Sequence, residues 1–155
     1  MSNIQIITYI DGLASEFERL NRVWIERYFV LEDRDREILQ NPHTSIINPG
    51  GQIFFAQIDE ITVGSCAAQK LSSIDWELAK LGVDEKYQGR GVGRLLCEHV
   101  IKFCWSQGAK RIIIETNSIL IPAINLYVSL GFKKFTPKVK SSFVRANTFL
   151  ELQKV

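Results

Sequence analysis

The chain has 155 residues, 46% of them apolar, which is enough for one compact domain with a real core and leaves little room for a second. Nineteen Lys and Arg against 17 Asp and Glu leave a formal charge of +2, too small to argue for a nucleic-acid or membrane partner. No stretch approaches the ~20 apolar residues of a membrane span, and Met1 to Asp11 has no basic region followed by a long apolar run, so a cytoplasmic location is expected.

Ile4 to Tyr9 reads as a short first strand, after which Leu13, Phe17, Leu20, Trp24 and Tyr28 recur at helical spacing. Asp33 to Leu39 predicts a short second helix, ended by Asn41 and Pro42 because the residue before proline is pushed out of the helical region. His43 to Gly51 reads as a loop. Ile53 to Ile58 and Ile61 to Gln69 predict two strands joined at Asp59 and Glu60, a weaker hairpin signal than Asp-Gly. A further strand runs from Trp76 to Val83. The chain then turns polar and glycine-rich, and Val92, Leu95, Leu96, His99, Val100 and Phe103 mark a helix closed near Gly108.

Arg111 to Thr116 holds three consecutive isoleucines and suits a strand buried on both faces. Pro122 stands where the first turn of a helix tolerates proline; Ala123, Leu126, Tyr127 and Leu130 follow on one side before Gly131. Phe132 to Phe135 and Phe143 to Leu152 read as two last strands. The order predicts an α+β fold: a mixed, mostly antiparallel sheet of about seven strands with about four helices. The strands ending at Val83 and beginning at Arg111 should be parallel neighbours through the intervening helix.

Of the three cysteines, Cys97 and Cys104 share one predicted helix, where seven residues span about 10 Å, beyond the roughly 7 Å limit for a disulfide. Free thiols and a reducing compartment are expected, with Cys66, Cys97 and Cys104 structural. His43 and His99 are far apart in sequence and no Cys/His cluster has zinc spacing, so no metal is predicted.

Gln88, Gly89, Arg90, Gly91, Val92 and Gly93 lie between a strand and a helix. A helix N-terminus offers unpaired N–H groups and partial positive charge, and glycines let a phosphate approach, so the loop is a credible diphosphate cradle. A loop that only reverses the chain would carry the same glycines. The dinucleotide fingerprint would need glycine at Arg94, and the P-loop would need Gly-Lys-Ser/Thr starting there; neither fits.

Leu81-Gly82-Val83 followed by Gln88-Gly89-Arg90-Gly91-Val92-Gly93 resembles the coenzyme A signature R/Q-x-x-G-x-G/A of the GCN5-related N-acetyltransferases, the GNAT family. Ala123 to Phe132, AINLYVSLGF, resembles that family's second signature, A-x-x-L-Y-x-x-x-G-F. The strong resemblance covers Trp76 to Phe135. It implies one domain of GNAT fold over residues 1–155, with acetyl coenzyme A as co-substrate wedged where the two parallel strands diverge. The activity implied is direct acetyl transfer to a primary amine in a ternary complex.

The resemblance also assigns residues. Leu81 and Val83 would bond the pantetheine arm through their backbone, and the amides from Gln88 to Arg94 would hold the diphosphate, with charge from Arg90 and Arg94. Asn117 and Asn125 resemble polar positions that bond the pantetheine or the splayed backbone, with plain loop and helix-surface roles as their other reading, and Leu120 stands where many relatives carry asparagine. Tyr127 matches the tyrosine that protonates the departing thiolate; a locally satisfied core tyrosine is its other reading. Glu77 stands where some members place a general base, and it could equally be a charge on an open strand face. Glu115 would anchor the amine, and Trp24, Tyr28 and Phe29 would wall the acceptor site, unless they are core. The acceptor, a small molecule or a peptide or protein amine, is not named by the sequence, and neither is dimerisation, which is frequent among relatives. Two rivals remain: an acyl-coenzyme sensing module, which would not need Tyr127, and a dinucleotide-binding oxidoreductase using Glu115, against which Arg94 and the antiparallel front half count.

Overall fold

The structure, a computed structural model, describes residues 3–155; the first two residues of the stretch read above for a leader lie outside it. Strand β1 (Gln5–Thr8) leads through a 3-10 turn into helix α1 (Ala14–Tyr28), followed by α2 (Asp33–Gln40). The meander β2 (Gln52–Ile58), β3 (Ile61–Lys70) and β4 (Asp75–Val83) precedes α3 (Val92–Ser106), β5 (Arg111–Thr116), α4 (Ile121–Ser129), β6 (Lys133–Lys134) and β7 (Thr148–Gln153). The seven strands form one sheet in the order β1-β2-β3-β4-β5-β7-β6, antiparallel except for β4 beside β5. The α+β class and the central parallel pair are as the sequence predicts.

Two cores sandwich the sheet. On one face Trp76, Leu78, Ile112 and Ile114 pack against Leu96, Val100 and Cys104 of α3. On the other, Phe17 and Ile25 of α1 and Ile38 and Leu39 of α2 close over Ile53, Phe55 and Ala67. α1 lies directly on β4: a Cβ at Gly82 would stand 2.7 Å from the Leu20 carbonyl oxygen, so only glycine permits the approach.

Three local expectations need correction, and a fourth, the hairpin, holds against a backbone strain. His43 to Gly51 is not wholly a loop; His43–Ile47 makes one π-helical turn that buries Ile46. The hairpin at Asp59 and Glu60 forms although both residues sit at positive φ, 50° and 67°, because the nearly fully buried strands on either side outweigh that strain. β5 is buried on one face only: Ile112 and Ile114 enter the α3-side core, while Ile113 lines an open groove. The last strand begins at Thr148 rather than Phe143, and residues 136–147 form a strap. The amides a strand would need are used elsewhere: Phe143 N–H donates to Ser141 Oγ, and Val144 and Arg145 N–H donate to the Glu32 carboxylate.

Candidate active site

The two parallel strands stay together for three residue pairs. Asp75, Trp76 and Glu77 of β4 face Arg111, Ile112 and Ile113 of β5, after which β4 has no partner on that side. The cause is a β-bulge. Against β3, Ser65 faces Gly82 and Ala67 faces Ala79, so an extra residue is accommodated around Lys80, whose φ is 55°. β4 bends away while β5 continues beside β7 to Thr116. The expected pantetheine-binding residues Leu81 and Val83 fall within the unpaired stretch, and the Val83 carbonyl accepts a hydrogen bond from Gln88 Nε2 at 3.1 Å.

The bulge also resets which side chains face which way. Trp76 and Leu78 point to the α3 core before it, Leu81 and Val83 after it. Unbroken alternation would put Lys80 in that core; instead it turns to the opposite face with Glu77 and Ala79.

At the end of β4 the chain makes a 3-10 turn (Glu85–Tyr87), capped by the Asp84 side chain, and enters α3 through Gly89 and Gly91 at φ 78° and 84°. The first helical hydrogen bond runs from Leu95 N–H to the Gly91 carbonyl, so the amides just before it have no helical partner. A Cβ at Gly89 or Gly91 would meet nothing within 4 Å, leaving the backbone open to a ligand. Free amides, a helix N-terminus and open approach fit a diphosphate. Gly93 differs: its Cβ would touch Leu126 at 3.4 Å and Val83 at 3.8 Å, so it lets α4 pack close. Arg94 donates to Ser129 Oγ, tying the start of α3 to the end of α4, and the Arg90 guanidinium lies 5.1 Å over the Tyr87 ring.

On the opposite face a narrow cavity is lined by Glu77, Ala79 and Lys80 of β4, Glu115 and Thr116 of β5, Trp24 and Phe29, and Phe143 and Arg145 of the strap. Burial, and next the Glu115 charge, push the Glu77 carboxyl up to about 7; Lys80 and Arg34 oppose the rise without cancelling it. Two carboxylates, one of them poised near neutrality, thus share a cavity beside the strand gap. Of the three aromatics proposed as acceptor walls, Trp24 and Phe29 line this cavity. Tyr28 does not: it is 48% exposed and packs under Arg27.

Sequence reasoning missed the ionic cluster behind this cavity. Asp35 is fully buried and accepts Lys80 Nζ at 2.7 Å and both Nη atoms of Arg145 at 2.6 and 2.7 Å. Burial works to raise its carboxyl, yet the hydrogen bonds from Arg145 and Lys80 hold it at about 2. Burial lowers Lys80 from its ordinary value, and Asp35 opposes that shift. Arg145 also stacks over Phe143 at 4.6 Å, and Lys80 lies 4.5 Å from the same ring. Asn117, expected at the coenzyme, donates to the Arg145 carbonyl at 2.7 Å and so helps hold the strap. Lys80, a charged residue that strand alternation places in line with Trp76 and Leu78, was the one signal available; Asp35 was hidden in the polar run DRDRE.

Tyr127 is 6% exposed, lies edge-on to Phe132, and its hydroxyl is raised well above 10 by burial and by Cys97 and Cys66 nearby. Cys66 Sγ in turn contacts the Ala79 carbonyl at 3.7 Å, next to the bulge. Tyr127 therefore lies in the core on the α3 side of the sheet, and Glu77 on the opposite face. Asn125 is exposed on α4. The three cysteines are free and buried. Among the described residues no group of three or more His, Cys, Asp or Glu could hold a metal, and no helix is long and apolar enough to cross a membrane.

A mostly antiparallel sheet opened between its two central strands beside a glycine-rich helix start is the acyl-coenzyme A N-acyltransferase fold. The chain belongs to the acetyltransferase (GNAT) family, whose model matches residues 16–132. A GNAT-family acetyltransferase from Staphylococcus aureus Mu50 superimposes with a TM-score of 0.88 at 23% identity, covering 97% of this chain and 99% of that one. One from Elizabethkingia anophelis, with acetyl-CoA bound, gives 0.74 at 19%, covering 98% and 99%. At these identities the likeness is one of fold. In sequence, the Xenopus tropicalis protein named "Probable N-acetyltransferase camello" is 30% identical over 139 residues, 88% of this chain and 56% of that protein. The chain spans about half the length of the curated relatives it matches.

Proposed function

We propose that this protein is an N-acetyltransferase that transfers an acetyl group from acetyl coenzyme A to a primary amine by direct attack. The observation that carries the reading is the strand gap itself, with free helix-start amides on one side and a cavity holding two carboxylates on the other. Acetyl-CoA is bound in the Elizabethkingia relative. Here the amides around Gly89 to Arg94 would take the diphosphate, and the unpaired β4 edge from Leu78 to Val83 would take the pantetheine arm. The thioester would then lie in the gap, with the acceptor reaching it from the Glu77 side.

An amine must lose its proton before it attacks. Glu77, with its pKa at about 7, is ionised in part of the molecules at neutral pH and basic enough to accept that proton, directly or through one water. Glu115, beside it, attracts the ammonium form. The nitrogen–carbon bond forms as the amine adds to the thioester carbonyl. The carbon–sulfur bond then breaks, the thiolate takes a proton from Tyr127, which is protonated at neutral pH, and the second nitrogen proton leaves to solvent, from which the Tyr127 hydroxyl is restored.

Thermal stabilisation by acetyl coenzyme A but not by NAD, followed by release of free coenzyme thiol on adding amines, is the expected result. Stabilisation by NAD alone would overturn the reading. Binding without thiol release for any amine would make the protein a coenzyme sensor.

A further inference from the structure

We propose that the acceptor is an amine whose body carries negative charge beyond the nitrogen, namely a short peptide segment rich in Asp or Glu, held along a groove whose outer lip is formed by Lys138 and Lys140. The inference rests on the acetyltransferase reading and names the substrate class of that same site.

The narrow cavity does not end at Glu77. It shares Glu77, Ala79, Lys80, Glu115 and Phe143 with a groove of about 810 Å³ that runs along the outer face of β5 and β7, over Ile113 and Phe149 and beneath the strap. That volume is in the range that takes a drug-sized ligand or a few peptide residues, far more than a small amine needs. The floor is an open sheet face, apolar at Ile113, Phe135 and Phe149.

Charge along the groove is graded. At the inner end the two cations are already matched, since Lys80 and Arg145 both bind Asp35 and Arg145 also lies 3.6 Å from Glu32, so the local excess is that of Glu77 and Glu115 and suits an ammonium. Midway, Arg111 lies 3.1 Å from Asp75 and 3.4 Å from Glu151, so its charge is fully engaged and that stretch still carries a slight acidic excess. At the outer end Lys138 and Lys140 are exposed and, among the described residues, have no ion-pair partner. Arg34 of α2 stands on the other lip, joined only to the exposed Glu37 at 3.1 Å. Among the described residues, no acid other than the engaged Glu151 faces the groove outside the cavity. A ligand with an ammonium at one end and carboxylates farther along matches this order of charge; one carrying further cations meets repulsion at the lip.

The test compares kcat/KM for three short peptides with one free amine each, flanked by acidic, neutral or basic residues, at saturating acetyl coenzyme A. At low salt the acidic peptide should exceed the basic one roughly tenfold, the size expected for two or three exposed charge contacts, and high salt should erase most of the difference. The ratio should fall toward unity in K138Q/K140Q and invert in K138E/K140E. Because the ratio is internal to each enzyme, a partial loss of folded protein does not alter it. An amino dicarboxylate of low mass serves as a further arm: if it matches the acidic peptide, the carboxylates come from a small molecule and the peptide assignment falls. An unchanged ratio in the charge-reversed enzyme, or a preference for the basic peptide in the wild type, would overturn the proposal. Turnover of no amine at all would instead overturn the acetyltransferase reading beneath it.

Discussion

Replacing Glu77 by Gln preserves the side chain's size but removes its ionisation, and two measurements should then move in opposite directions. Glu77 reaches about 7 from an ordinary 4.5, chiefly through burial and then through Glu115. At 1.36 kcal/mol per pH unit, ionising it in the folded protein costs at most about 3 kcal/mol, and since it opens onto the cavity roughly 2 kcal/mol is the working figure. Its folded pKa is raised, so between 4.5 and about 7 the folded state holds a proton that the unfolded chain has lost. Stability therefore declines with rising pH across that window: the cost is absent below it and full above it. The Glu77→Gln protein should match the wild type in urea denaturation near pH 4 and exceed it by about 2 kcal/mol near pH 8, a Tm rise of roughly 4–8 °C. Acetyl transfer should fall by ~10²-fold or more. The wild-type rise of kcat/KM with an apparent pKa near 7 should disappear, when read with an acceptor whose own pKa lies well below that of Glu77. Glu115→Gln, which removes the like charge, should shift that rise to lower pH. A Glu77→Gln enzyme that keeps the rise and shows no stability gain at high pH would refute the reasoning and return Glu77 to a solvated strand-face charge.

Asp35→Asn leaves Lys80 and Arg145 without their buried counter-charge and should cost about 3–5 kcal/mol at neutral pH. The Asp35 carboxyl is depressed, so its contribution is full above about 4 and lost as pH falls through about 2; a loss below about 1 kcal/mol in urea denaturation at pH 7 would show that the cluster does not hold the strap. Gly91→Asp places a carboxylate where the diphosphate is expected, at a φ of 84° that Asp tolerates better than most residues. Calorimetric titration should find a folded protein without acetyl coenzyme A binding, and undiminished affinity would move the diphosphate elsewhere. Tyr127→Phe keeps the ring and its contact with Phe132, so it should leave stability and coenzyme affinity nearly unchanged while lowering kcat toward the lower end of the ~10²-fold expected of a general acid. Wild-type kcat with a neutral, productive acceptor would mean that water protonates the thiolate.

Much of this architecture was legible in the sequence because it depends on local signals. Helical periodicity from Leu13 to Tyr28, the Pro122 and Gly131 boundaries, and the strand-loop-helix at Gln88 to Gly93 each need only a few neighbouring residues to be recognised. The parallel pairing of the strands at Val83 and Arg111 followed from crossover handedness. What the sequence could not yield were features set by contacts between distant segments. The bulge at Lys80 exists only against β3, and it alone decides that this lysine faces Asp35 rather than the α3 core. Asp35 and Arg145 lie 110 residues apart and became a pair because the strap, read as strand, gives its amides to Glu32. Glu77 and Glu115 were each visible as candidates, but their shared cavity and the raised pKa of one arise from burial and proximity. Those are properties of the folded sheet, since in the unfolded chain solvent would screen the two carboxylates from each other.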